Sequence, residues 1–141
     1  MMHLRVLVAT GHKNKDMLAA LQEYGKRLGK YCKISLRCCT EGAALAKDLK
    51  SRGQTYTIAI PTAGPFRNVR EMDSESFAET LESLAISGTS DVTFLVGPTG
   101  LPADTAIALS RMDTDPLLAA VVLYEQVYRA FRILNNHAYH K

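Results

Sequence analysis

The residues with the richest chemistry close the chain. The last seventeen read EQVYRAFRILNNHAYHK, and His137, Tyr139, His140 and Lys141 fall within five positions. Imidazole, phenol and ammonium groups gathered this closely can stack on bases and contact phosphates. With Tyr128, Arg129 and Arg132 just upstream, they make an electropositive, aromatic edge suited to RNA. The alternative is a solvated end, because termini are ordered only where something ties them down. Tyr128 also reads as core or interface, and the two arginines as solvated.

A second candidate is GPTG at 97–100, directly after the apolar run VTFLV. Glycine lets a backbone approach a ligand closely and expose its N–H groups. In open α/β sheets, ligands bind beyond the carboxyl ends of the strands. The tetrapeptide matches neither a Walker loop nor G-x-G-x-x-G, and a tight turn explains it equally well. Asp113 and Asp115 flank Thr114 but make poor acid–base candidates. Asp115 is accounted for as a helix cap, and Asp113 reads as solvated. No Ser-His-Asp or Cys-His arrangement is legible, and His3 and His12 read as surface residues. Cys32, Cys38 and Cys39 have no C-x-x-C spacing. That argues against a metal site and for reduced, buried thiols in a strand.

These groups need a scaffold, and hydrophobic spacing outlines one. LRVLVAT (4–10) has the length of a buried strand. Met17, Leu21, Tyr24 and Leu28 share one face of a helix over 16–28, closed by Gly29. Cys32, Ile34, Leu36 and Cys38 alternate with polar residues, which predicts a strand with one buried face. Thr40 caps a helix over 41–52. YTIAI (56–60) is a third strand, and 61–73 is a loop broken by two prolines and a glycine. Asp73 or Ser74 caps a helix over 75–86, VTFLV (92–96) is a fourth strand, and 107–112 a short fifth. Asp115-Pro116 starts a helix reaching about Leu134. Its apolar face is broad enough to predict burial on more than one side, as in a homodimer. The order argues for a single α/β domain over 1–141, a mainly parallel sheet with helices on both faces.

Composition sets the setting. The 141 residues are 47% apolar, enough for a real core. No apolar run approaches a membrane span, and the first residues read as a strand rather than a signal peptide, so a soluble cytoplasmic protein is expected. Residues 1–70 carry 13 Lys+Arg against 4 Asp+Glu, or +9, while 71–141 carry 4 against 10, or −6. Such asymmetry suggests a basic face for a polyanion, unless folding mixes both halves over one surface.

The C-terminal stretch resembles the RlmH-type SPOUT ribosomal RNA methyltransferase family, whose members end on a similar helix and a Y-R-A-F/W…Y-H-K/R tail. VTFLVGPTGL is similar to that family's strand and glycine loop, SRMDTDP to its strand-to-helix segment, and DSESFAETL to a helix start. The resemblance covers essentially the whole chain. It implies a SPOUT-type C-terminal trefoil knot, S-adenosyl-L-methionine (AdoMet) as cofactor, a homodimer, and N3-methylation of a pseudouridine in large-subunit ribosomal RNA. By the same resemblance, Ile60, Gly97, Gly100, Ser110, Arg111, Met112, Asp113, Thr114 and Asp115 surround the cofactor. Arg129, His137, Tyr139 and His140 would then face RNA beside the partner subunit. Several features depart from the pattern: one glycine before Pro98 instead of two, a shorter segment between Leu101 and Ile107, a longer 61–73 loop, and Pro116 and Ala120 where His and Arg are usual. These departures motivate a second reading, a dimer that binds RNA or ribosomes without methyl transfer.

Overall fold

The computed structural model of the protein describes residues 1–51 and 53–136. In chain order the elements are β1 (His3–Ala9), α1 (Lys15–Leu28), β2 (Lys33–Cys39), α2 (Gly42–Ser51), β3 (Tyr56–Ile60), β4 (Arg70–Glu71), α3 (Ser74–Ile86), β5 (Asp91–Val96), β6 (Thr105–Ala108) and α4 (Pro116–Leu134). The strands form one sheet in the order β2-β1-β5-β3-β6-β4, and every pairing is parallel.

Local chemistry sets the helix starts. The Asn14 side chain accepts from the Met17 N–H, Asp73 from Ser76 and Asp115 from Leu118. Each bond satisfies one of the donors that a first helical turn leaves unpaired. Alternation then divides the sheet into two faces. Leu4, Val6, Val8, Ile58, Ile60, Val92, Phe94 and Val96 point to the face covered by α1, α3 and α4, forming the main core. Leu7 and Leu95 point to the other face, where Leu45 of α2 meets them. Helices on both faces are as expected, though three lie on one side and one on the other. The rest of the second face is crossed by residues 97–104. Leu101 packs on the small cluster there. The Asp104 N–H donates to Thr57 O at 2.9 Å, and the Thr57 N–H to Asp104 Oδ2 at 2.7 Å.

Four expectations need correction. The fifth predicted strand, 107–112, lies earlier: pairing of Thr105 and Ala106 with Ile58 and Ala59 fixes β6, and the chain leaves the sheet at Leu109. Arg70 and Glu71, read as loop, form a strand because Ile107 and Ala108 offer them a partner. The α2 helix starts at Gly42, one residue later than expected. Glu41, not Thr40, supplies the carbonyl that the Ala44 and Leu45 N–H groups reach. Of the three thiols, Cys32 is buried, Cys39 half-buried and Cys38 exposed, because β2 is an edge strand.

Candidate functional site

The carboxyl ends of β1, β3 and β5 meet the start of α4, and residues 109–115 run across them. The Gly97 N–H donates to Ile60 O at 3.1 Å, tying the glycine turn to the end of β3. Gly97 has φ +94°, and a methyl group built on it would lie 3.1 Å from Pro116 Cβ and 3.3 Å from Ala9 O. A side chain there meets both a strained dihedral and two neighbours, so glycine suits the position.

Residues 110–115 are held from several sides. The Met112 N–H donates to Ser110 Oγ and the Thr114 hydroxyl to Met112 O. The Thr114 N–H reaches Thr62 O at 2.7 Å, and the Gly64 N–H reaches Asp113 Oδ1 at 3.0 Å. Asp115 caps α4 through Leu118 and lies 2.6 Å from His12 Nε2. Burial pushes the Asp115 carboxyl up. The bonds from His12 and the Leu118 N–H, with the charge on His12, outweigh burial and hold it below the usual carboxylate range. Both aspartates of this segment are therefore engaged within the protein.

A cavity of about 60 Å³ opens between these pieces, lined by Ile60, Pro61, Thr62, Leu109, Ser110, Thr114, Ala119 and Val122. Its walls are aliphatic, with hydroxyls and backbone groups at the edge. That composition suits a flat heterocycle, whose faces want apolar contact and whose edge wants hydrogen bonds. The donor set therefore fits part of a nucleoside cofactor, although the volume is below the roughly 300 Å³ of a typical ligand pocket.

Of the cofactor residues expected from sequence, Ile60, Ser110 and Thr114 line this cavity. Gly97 abuts it through Ile60. Gly100, with φ +68°, begins the crossing of the second face. Arg111 turns to Glu71 at 2.9 Å, and Met112 is 77% exposed. Arg129 pairs with Glu125 at 2.6 Å on α4, about 21 Å along the helix from Asp115 at 1.5 Å per residue. It therefore stands apart from the cavity within one protomer. His137, Tyr139 and His140 lie outside the described residues. Sequence reasoning missed Pro61, Thr62, Leu109, Ala119 and Val122. For the first two the available signal was their place just past an apolar strand. His12 was read as a surface residue; it is half-exposed but bound to Asp115. Among the described residues no group of His, Cys, Asp or Glu is placed to hold a metal ion, and no helix is long and apolar enough to cross a membrane.

A family model described as "Predicted SPOUT methyltransferase" matches residues 2–140. The chain belongs to the SPOUT methyltransferase family. It is 34% identical to a protein named Ribosomal RNA large subunit methyltransferase H 1 from Thermoanaerobacter sp. (strain X514), over 94% of this chain and 96% of that one. It is 31% identical to Ribosomal RNA large subunit methyltransferase H from Limosilactobacillus reuteri (strain DSM 20016), over 99% and 100%. The same identity and coverage hold for the protein of that name from Clostridium botulinum (strain Loch Maree / Type A3). The resemblance carried by the C-terminal stretch thus extends over nearly the whole chain.

Proposed function

We propose that the protein transfers a methyl group from AdoMet to large-subunit ribosomal RNA in the cytoplasm, at N3 of a pseudouridine. The observation that carries this reading is the slot between residues 60–62 and 109–114, in a chain that aligns end to end with proteins named as ribosomal RNA methyltransferases. When bound, AdoMet supplies an electrophilic methyl group on a sulfonium for in-line displacement. The chain's own part is to hold the reactants aligned, which can account for much of a rate enhancement. Ile60, Leu109, Ala119 and Val122 would hold the base, and Thr62, Ser110 and Thr114 would offer it polar groups. Asp113 and Asp115, fixed by Gly64, Leu118 and His12, would add negative potential to the site that holds the cationic cofactor.

The same reading makes the active unit a homodimer with a knotted C-terminus, residues 109–115 threading beneath the loop that follows β3. Leu118 and Val122, 42% and 40% exposed, stand one turn apart on α4. That is an apolar strip at the mouth of the slot, suited to a second copy. By the family resemblance, His137, Tyr139 and His140 would serve the partner's site.

The test is AdoMet titration by calorimetry, together with methyl transfer to large ribosomal subunits that lack the modification. Micromolar binding and N3-methylpseudouridine in the digested RNA are expected. No binding at millimolar AdoMet, with dimerisation intact, would favour the binder without methyl transfer.

A further inference from the structure

The loop over 61–71 leaves the wall of the slot at Pro61 and Thr62 and returns as β4 beside β6. Three bonds fasten it to residues 110–115: Thr114 N–H to Thr62 O, Gly64 N–H to Asp113 Oδ1, and Arg111 to Glu71. Phe66 is half-buried, its ring within contact of Gly64, and Asn68 turns the crest with φ +56°. The crest is thus held in fixed register over the cofactor segment. It carries Arg67 and Arg70, both exposed, and neither makes an ion pair or side-chain hydrogen bond among the described residues. The neighbouring Arg111 is otherwise committed, to Glu71.

We propose that this loop is the RNA clamp of the site, with Arg67 and Arg70 binding two phosphates of the strand that carries the target nucleotide. The proposal rests on the methyltransferase reading and assigns it a docking surface. Guanidinium forks match phosphate oxygens in two-point contacts. Among the more distant exposed cations, Lys33 on β2 lies at the far edge, five strand spacings from β4, or about 24 Å at 4.8 Å per step, and Lys47 and Lys50 lie on α2, on the second face of the sheet. They attract RNA without placing it.

The experiment compares the unmodified protein with an Arg67→Ala/Arg70→Ala variant and with a charge-matched control, Lys33→Ala/Lys47→Ala. Each is titrated with AdoMet alone and with a single-stranded ribosomal RNA fragment over a salt series, and assayed for transfer to unmodified large subunits. The loop variant should melt normally and bind AdoMet within about twofold. Its KM for the large subunit should rise tenfold or more, with kcat changed much less. Its slope of log affinity against log salt should fall by about 1.4 to 1.8, the loss of two phosphate contacts. The control should keep its KM within about twofold. An unchanged KM in the loop variant, or an equal rise in the control, would overturn the clamp while leaving the methyltransferase reading intact. Failure of the unmodified protein to bind AdoMet or transfer methyl would instead overturn that reading, and the clamp with it.

Discussion

Gly97 carries the tightest backbone constraint at the cofactor edge, since φ is +94° and Pro116 and Ala9 stand within 3.3 Å of any added carbon. A left-handed non-glycine residue costs about 1–2 kcal/mol, before any crowding. Gly97→Ala should therefore lower stability by about 2 kcal/mol or more. Gly53→Ala, at φ +72° with open space around it, should cost only the dihedral part, and urea unfolding distinguishes the two. Asp115 is the second residue of consequence, capping α4 and binding His12. Asp115→Ala should cost about 1 kcal/mol for the lost cap, and Asp115→Asn much less. Because its folded pKa is depressed, the carboxylate's contribution is fully present above the unfolded value near 3.9. It is lost as pH falls through the folded pKa. The stability gap between parent and Asp115→Asn should accordingly shrink below about pH 4. A gap that stays constant from pH 7 to pH 2.5 would show that the charge contributes nothing. Asp91 behaves in the same sense. Burial raises its carboxyl, but bonds from Arg5 and Thr55 outweigh that and hold it low.

Among the elements, α4 does the most. It packs on α1 and α3 and reaches β1 and β5. Its buried line includes Leu117, Leu123, Tyr124, Val127 and Phe131, while Leu118 and Val122 remain at the surface. The breadth of apolar sequence read as a two-sided face thus resolves into a main core and a narrower exposed strip. Introducing charge there, as Leu118→Glu/Val122→Glu, should leave the fold intact, since both sites already touch water. It should convert a dimer to a monomer in sedimentation at micromolar concentration. A variant that sediments as the parent does would place any dimer contact elsewhere. The stretch 97–104 is the other informative element. With too few residues for a helix, it crosses the second face extended, held by Leu101 and by the paired bonds of Asp104 with Thr57.

At the scale of the whole molecule, the loops proposed to hold the cofactor lie at the carboxyl edge of the sheet, and α4 ends at the opposite edge. Phe131, Leu134 and Asn135 border a groove there with Met1, Met2 and Ser90. Under the proposed function, one protomer's tail works in its partner's site. Deleting residues 136–141 should change stability by at most about 1 kcal/mol, because the segment follows the last helical turn and is polar. AdoMet affinity should stay the same, while methyl transfer falls by about a hundredfold or more through lost positioning. Thermal melting, gel filtration and transfer assays on the truncated chain check this. Full transfer without the tail would show that it is a solvated end. Mixing the truncated chain with a full-length chain disabled at Gly97 should restore partial transfer, since each mixed dimer then has one intact slot facing one intact tail.

The sequence by itself determined what nearest neighbours control. Asp73 and Asp115 cap helices because the donors they satisfy are three residues away. The apolar alternation of β1, β3 and β5 assigned their faces, since a strand's period is two. The glycine turn and the C-terminal stretch marked the family, because their chemistry is contiguous in the chain. Only the tertiary structure decided what depends on residues far apart. β4 exists because Ile107 lies alongside, and β6 is where Ile58 and Ala59 pair, not where its own residues are most apolar. The slot needs β3, the 109–114 segment and α4 together, and no periodicity encodes that meeting. His12 and Asp115 meet across 103 positions. Asp113, which reads as solvated in the sequence, acquires its partner only when the distant Gly64 is brought to it. Hydrogen bonds of that kind act over about 3 Å, so they can be assigned only after long-range packing has fixed which segments are neighbours.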